Sequence, residues 1–175
     1  MMKRTFYIAL TLIAFVFTQA CNNRKAKNYN KISQANEEGI SFVKNALESG
    51  AAEIKVSQLA LTNSKNTEVV EFAKMLIADH TNADAELKKI AGSKVPPDTL
   101  SAAHQQLLGS LSKKTGKEFD KEYMQAMVND HENAILVFKK GKDNTDEKLK
   151  SYADKTLPTL QDHLKKANAI CLDLK

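Results

Sequence analysis

The chain has 175 residues and a formal net charge of +5, a length that suffices for one ordinary domain. Its lysines alternate with acidic residues along the chain, and beyond residue 20 the only arginine is Arg24. Such a charge distribution is that of a solvated helical surface, and it excludes the clustered basic patch that nucleic-acid binding requires.

Residues 1–20 are predicted to be a signal peptide. Lys3 and Arg4 form a basic start, and a nearly wholly apolar run follows from Phe6 to Phe17. This run of about twelve residues is shorter than the ~20 that a membrane-spanning helix needs. The pattern is that of a secretory signal, whose removal takes the two basic residues away and lowers the net charge from +5 to +3.

Cys21 stands directly after Ala20, as in the lipobox of bacterial lipoproteins, although the usual leucine is replaced by Thr18. The prediction is therefore a lipidated cysteine that anchors the chain to a membrane. Asn22 follows in place of the aspartate that retains lipoproteins in the inner membrane, so the expected location is the outer membrane, facing the periplasm. The alternative is ordinary cleavage near Ala20, which leaves Cys21 free and the protein soluble in the periplasm. With Cys21 lipidated, Cys171 has no partner for a disulfide.

Residues 21–33 are polar and aperiodic and are predicted to form a flexible tether, followed by a helical domain over residues 34–172. No segment of the domain has the alternation of a strand, so the predicted fold is all-α: an up-down, ferritin-like four-helix bundle with a short connector helix. The predicted helices run from Gln34 to Thr62, from the N-cap Asn66 to Ala91, from the cap Asp98 to Lys114, from the capping box at Thr115 to Lys140, and onward from the cap Thr145.

Two of these helices carry the same motif, Asp-His-x-Asn-Ala, at residues 79–83 and 130–134. In both copies the histidine occupies a position of the apolar stripe where a leucine is expected. A titratable ring that faces a helical core is costly unless it has a partner. His80 and His131 are therefore the first candidates for a functional site.

Counting residues from the interhelical turns places Glu53, His80 and His131 at one level of the bundle, if both turns lie at one end. His163 lies about seven residues beyond this level, or ~10 Å at 1.5 Å per residue, so it is the weaker candidate. Thr156 is expected to face the layer in its place.

Two interpretations of the layer remain open. Imidazoles and a carboxylate from facing helices suit a single zinc, iron or manganese ion, held by Glu53, His80 and His131, with His163 as a further candidate ligand. The other interpretation is a buried polar network that satisfies itself without an ion, which is the more common fate of buried polar groups. A di-iron centre is not expected, because the Glu-x-x-His motif is absent at each histidine.

Neighbouring residues extend both interpretations. Asp79 and Asp130 precede the two motif histidines and are candidates to accept hydrogen bonds from the rings and orient them. His104 is expected to be a surface residue. Three methionines near the histidines would suit a copper(I) site, although methionines in such stripes usually fill core gaps: Met75, Met124 and Met127.

An ordered set of motifs runs through the mature chain: Glu53-Ile54-x-x-x-x-Leu59-Ala60, Phe72-Ala73-x-Met75-x-x-x-Asp79-His80, Phe119-Asp120-x-x-Tyr123-x-x-x-Met127-x-x-Asp130-His131 and Thr156-Leu157-Pro158-x-Leu160-x-x-His163-Leu164. This set resembles the domain-of-unknown-function family 4142 over about residues 36–170. The resemblance implies a ferritin-like bundle in a bacterial envelope protein, commonly labelled an outer-membrane protein. It implies no established activity.

The expected function is a non-catalytic binding or structural module of the envelope, for example in a stress response. The alternative is a metal-binding bundle that handles metal or oxidants. No catalytic residue is predicted, since the chain has no Gly-rich phosphate loop and no nucleophile with a positioned base. The membrane is the one partner predicted, through the lipid anchor.

Overall fold

The structure is a computed structural model that describes the backbone of residues 19–92, 95 and 99–174, and the side chains from residue 37 onward in these ranges. The ranges contain no strand and five helices: α1 (Gln19–Asn63), α2 (Thr67–Ala91), α3 (Ala102–Leu111), α4 (Gly116–Gly141) and α5 (Glu147–Asp173). The all-α prediction is confirmed. The predicted signal peptide lies outside the described residues except for its last two, and so does the side chain of Cys21, the predicted lipidation site. No helix of the described ranges is both long and apolar enough to cross a lipid bilayer.

The first helix begins at Gln19, whereas the sequence predicted a helix from Gln34 with a flexible tether before it. The backbone of residues 21–33 is helical. This segment contains no glycine and no proline, so its backbone has no residue that would interrupt a helix. The compact unit that carries the bundle spans Ala35–Lys175.

The caps of α2 and α3 explain where these helices begin. The Asn66 side chain accepts hydrogen bonds from two backbone N–H groups of the first turn of α2, as predicted. Ser101 caps α3 by accepting from the backbone N–H of His104. The predicted cap of that helix, Asp98, lies outside the described residues.

The caps of α4 and α5 differ from the prediction. Thr115 occupies the N-cap position of α4, but its side chain makes no capping hydrogen bond. Glu118, the acid of the predicted capping box, lies 2.9 Å from the Lys114 ammonium and pairs with it. The cap of α5 is Asp146, one residue beyond the predicted Thr145, and its carboxylate accepts from two backbone N–H groups of the first turn.

Contacts of α1 fix the direction in which the helices run. The Asn63 side chain donates to the carbonyl groups of Leu111 and Lys114, so the end of α1 lies beside the α3–α4 turn. Gly39 lies against Leu149, so the part of α1 near Gly39, where the helix enters the bundle, lies beside the start of α5. The α1–α2 turn and the α4–α5 turn therefore lie at opposite ends, and α2 runs parallel to α4. The prediction of both turns at one end was wrong, because the segment containing α3 returns the chain along the bundle, as in ferritin-like folds with one crossover.

The apolar core consists of two clusters. Cluster A lies at the α4–α5 turn and contains these buried residues: Phe42, Val43, Ala46, Leu47, Leu87, Ala91, Ala134, Ile135, Phe138, Leu149, Tyr152, Ala153, Leu157 and Leu160. Cluster B lies at the α1–α2 turn and contains these: Val56, Ala60, Val69, Phe72, Ala73, Leu76, Leu111, Phe119, Tyr123, Met124, Ala126, Met127, Val128 and Ala167. Each of the four long helices passes from one cluster to the other, and the residues between the clusters on these helices form a separate layer.

Candidate metal centre

The layer between the two apolar clusters is polar and buried. It is formed by Glu53 of α1, His80 of α2, His131 of α4 and His163 of α5, whose exposed fractions are 1%, 7%, 0% and 2%. Each helix supplies one of these residues at a position that its apolar stripe assigns to the core. Below we call these four side chains the polar layer.

The hydrogen bonds of His131 and His163 fix which ring nitrogens carry protons. His131 Nδ1 lies 2.8 Å from the Met127 carbonyl oxygen, and His163 Nε2 lies 3.0 Å from Asp79 Oδ2. Both oxygens are pure acceptors, so both of these nitrogens donate. In the neutral rings the remaining nitrogens, His131 Nε2 and His163 Nδ1, are then unprotonated, and they face each other at 3.2 Å. Two facing lone pairs at this separation need a positive species between them, either a proton or a metal ion.

Glu53 supplies the negative charge of the layer. Its Oε2 lies 2.9 Å from His80 Nε2 and 3.5 Å from His131 Nε2, while Ser49 donates to its Oε1. Burial by itself would raise the pKa of Glu53, but the charges of His80 and His131 outweigh it and hold the pKa at about 2. Burial likewise opposes a charge on His80, but the Glu53 carboxylate raises the pKa of that ring above its usual value. Burial and the neighbouring rings of His131 and His80 lower the pKa of His163, despite its hydrogen bond to Asp79.

Three separations within the layer are close to those around a bound ion. A four-coordinate zinc ion with bonds of about 2.0–2.1 Å keeps its ligand atoms about 3.3 Å apart. The observed separations are 3.2 Å between His131 and His163, 2.9 Å between Glu53 and His80, and 3.5 Å between Glu53 and His131. One nitrogen from each of the three histidines lies within 4.8 Å of the others. Neither Glu53 Oε2 nor His80 Nε2 makes an aligned hydrogen bond, although both are buried. Reorientation toward a common ion would therefore break no hydrogen bond of these two atoms.

His163 belongs to the layer, and its predicted displacement of about two turns was wrong. Side chains of a helix tilt toward the N-terminus of their own helix. Because α4 and α5 run in opposite directions, the tilt of His131 and the tilt of His163 bring the two rings toward each other. Counting Cα positions from the turn ignored this convergence.

The two aspartates of the motifs have different roles from those predicted. Asp79 does orient a ring, but the ring is His163 of the facing helix and not its neighbour His80. Asp130 lies 3.6 Å from His104 Nε2 and does not contact the layer. His104, predicted to be a surface residue, is half-buried, and its Nδ1 lies 2.6 Å from Glu48. Its pairing with Asp130 and with Glu48 raises the pKa of His104 to about 9.

Further residues around the layer were missed or misassigned in the sequence. Ser49 lies four residues before Glu53, a spacing that places it on the same face of α1 and could have identified it. The Met127 carbonyl carries no sequence signal. The Met75 sulfur lies 3.3 Å from Lys166 Nζ, and Met124 belongs to cluster B, so these positions do not favour a copper(I) site with sulfur ligands.

Comparisons with known proteins agree with this fold. The family model described as "Domain of unknown function (DUF4142)" matches residues 24–170. The crystal structure of a DUF305 fragment from Deinococcus radiodurans superposes with a TM-score of 0.68, at 15% identity, over 77% of this chain and 95% of that chain. At this identity the similarity concerns the fold alone. A comparison with curated protein sequences gives no match.

Proposed function

Because the chain belongs to the domain-of-unknown-function family 4142, as its motifs predicted, its role has to come from its own site, and we propose that the bundle binds one transition-metal ion through His80, His131 and His163. Glu53 completes the site, either as a fourth ligand or as the acceptor for a water molecule on the ion.

The observation that carries this proposal is the pair of ring nitrogens, His131 Nε2 and His163 Nδ1, that face each other at 3.2 Å inside the bundle. Their partner atoms, the Met127 carbonyl and the Asp79 carboxylate, hold the rings in the tautomers that a metal ion requires. Three imidazoles and a carboxylate are borderline ligands that suit zinc, iron or manganese.

The second candidate is a structural polar layer that holds a proton in place of a metal ion. The raised pKa of His80 beside the Glu53 carboxylate favours it. In that case the bundle is a non-catalytic binding or structural module of the envelope, and the layer serves to align the helices.

Metal analysis of the full chain, purified without a histidine tag and treated with a chelator, distinguishes the two candidates. After incubation with Zn²⁺, Co²⁺, Mn²⁺ or Fe²⁺ and desalting, we expect about one equivalent of at least one metal and a higher melting temperature, because binding to the native state raises its stability by about 2.7 kcal/mol at a hundredfold excess over Kd. His131→Ala and His163→Ala should each lose the ion.

The matched control is His104→Ala, which removes a partly buried histidine outside the layer and should keep the stoichiometry. Less than about 0.1 equivalents of every metal in the wild-type protein, with an unchanged melting temperature, would leave the structural layer as the function.

We also propose that the protein is an outer-membrane lipoprotein whose bundle faces the periplasm. The support is the order of basic residues, apolar run and Cys21 at the start of the chain. Labelling of growing cells with a fatty-acid analogue tests it. The wild-type protein should carry the label and sediment with membranes, and Cys21→Ser should lose both properties.

A further inference from the structure

A cavity of about 200 Å³ borders the polar layer on one side. Glu53 and His80 lie at its inner end, with side chains that are 1% and 9% exposed. Glu48, His104 and Asp130 also line it, and their side chains are 16–19% exposed. The lining therefore changes from slightly exposed to fully buried in the direction of the layer, as expected for a passage from solvent to the histidines.

The lining of the cavity carries more acids than bases. Four carboxyl side chains line it, Glu48, Glu53, Asp84 and Asp130, against two histidines, His80 and His104. In the described part of the chain no lysine or arginine is among its lining residues. An acidic, low-dielectric cleft concentrates cations and repels anions.

Two buried carboxylate oxygens of the lining make no aligned hydrogen bond: Glu53 Oε2, which lies 2.9 Å from His80 Nε2, and Asp130 Oδ2. Glu53 is 1% exposed, so its oxygen cannot be satisfied by bulk solvent. Buried acceptors without donors are unfavourable unless a ligand supplies the donors. A ligand that brings positive charge and O–H or N–H groups would satisfy both oxygens.

The backbone of α1 makes room for a further acid of the lining. A Cβ placed on Gly50 would lie 2.5 Å from Asp84 Oδ1, so only glycine at this position lets the Asp84 carboxylate lie against α1. Glycine has a low helix propensity, but at position 50 it leaves space for the Asp84 carboxylate beside the cavity.

The cavity is large enough for a cation together with water molecules, since one water needs only about 10–15 Å³ of such volume. Waters bound to a divalent ion donate hydrogen bonds, and carboxylates are acceptors only. Resting on the metal-binding function proposed above, we propose that this cavity is a second, weaker site that binds a hydrated divalent cation and passes it to the three histidines.

Stopped-flow mixing of the metal-free full chain with Co²⁺ tests this proposal, since the absorbance of cobalt reports its arrival at the histidines. Glu48→Gln, a change of charge at nearly constant shape, should slow the association about threefold to tenfold and weaken its dependence on ionic strength. The final absorbance and the stoichiometry should stay the same. Asp84→Asn is the second variant, in case the loss of the Glu48 contact to His104 loosens α3.

Glu71→Gln is the matched control, because it removes one carboxylate that is 63% exposed and does not line the cavity. It should leave the association rate within about 1.5-fold of the wild type. If the wild-type protein binds Co²⁺ but Glu48→Gln and Asp84→Asn behave like this control, the cavity is not the route and the metal-binding function stands.

Terbium luminescence tests the cavity independently of the histidines, because Tb³⁺ is a hard cation that prefers oxygen ligands, and Tyr152 lies in the cavity wall as a sensitiser. We expect sensitised emission that persists in His131→Gln, falls severalfold in Glu48→Gln and disappears in Tyr152→Phe. If Co²⁺ never reaches the histidines while this pattern holds, the metal-binding function fails and the cation site in the cavity stands. Absence of the emission from the wild-type protein would overturn the cavity site.

Discussion

Replacement of Glu53 by glutamine in the metal-free protein tests whether this carboxylate is the charged centre of the polar layer. On folding, the pKa of Glu53 falls from 4.5 to about 2, because the charges of His80 and His131 outweigh the effect of burial. Each pKa unit corresponds to ~1.4 kcal/mol, so the ionised carboxylate stabilises the folded state by about 3 kcal/mol at neutral pH. Since Glu53 is 1% exposed, solvent screening does not reduce this figure much.

The pH dependence follows from the direction of this shift. Because the folded-state pKa is the lower one, the stabilisation is complete above about pH 4.5 and is lost as the pH falls toward about 2. Glu53→Gln keeps the side-chain volume and removes the charge. The difference in free energy of unfolding between the wild type and this variant should therefore be about 3 kcal/mol at neutral pH, and should shrink in acid.

Urea denaturation in the presence of a chelator, repeated over a series of pH values, measures this difference. Thermal unfolding at neutral pH should show a loss of about 6–12 °C in melting temperature, from about 2–4 °C per kcal/mol for a domain of this size. Glu71→Gln, which breaks an exposed pair with Lys74, should cost less than about 0.5 kcal/mol. A cost below about 1 kcal/mol for Glu53→Gln, or a cost that does not change with pH, would refute the reasoning.

Two further predictions concern residues outside the layer. Pairing with Asp130 and Glu48 raises the pKa of His104 from 6.5 to about 9. The stabilisation from this pairing should therefore be complete below pH 6.5. The free energy of unfolding should fall by about 1 kcal/mol as the pH rises through 9, after allowance for partial exposure. Urea titrations of His104→Ala should lack this slope, and a slope equal to that of the wild type would contradict the assignment. Gly141→Ala should lower the free energy of unfolding by about 1–3 kcal/mol, because its Cβ would lie 2.5 Å from the buried Phe42 ring. Gly109→Ala, on the open face of α3, should raise it by about 0.5–1 kcal/mol, and equal signs for the two variants would count against the packing argument.

The helices could be predicted from the sequence because each of them buries one continuous apolar stripe. The same stripes identified Glu53, His80 and His131 as inward-facing, since polar residues at core positions break a pattern that is otherwise apolar. Glu53, His80 and His131 lie at one level of the bundle, as predicted, although the two turns lie at opposite ends. Glu53 and His80 flank the same turn and were counted from it. His131 is near the middle of the 26-residue α4, so its distance is similar from either end of that helix.

What the sequence could not supply were contacts between distant segments. His104 and Glu48 are 56 residues apart, and no periodicity links the short connector helix to α1. The exchange of partners between Asp79 and the facing His163 is of the same kind, because the motif shows only that Asp79 adjoins His80. The capping box predicted at Thr115 is absent, and its acid, Glu118, pairs with Lys114, a neighbour that the motif does not include.

The two interpretations of the polar layer describe one arrangement of side chains, which holds a metal ion in one case and a proton in the other. Without metal, a proton on a neighbouring imidazole balances the negative charge of Glu53, and the Glu53 carboxylate raises the pKa of the His80 ring. A divalent ion would replace this proton, so binding should release protons and weaken as the pH falls. The proton-bearing layer then holds the four helices in the geometry that the ion needs, with the rings of His131 and His163 already turned by Met127 and Asp79. A site that is preorganised in this way needs little rearrangement on binding, because its ordering cost belongs to folding.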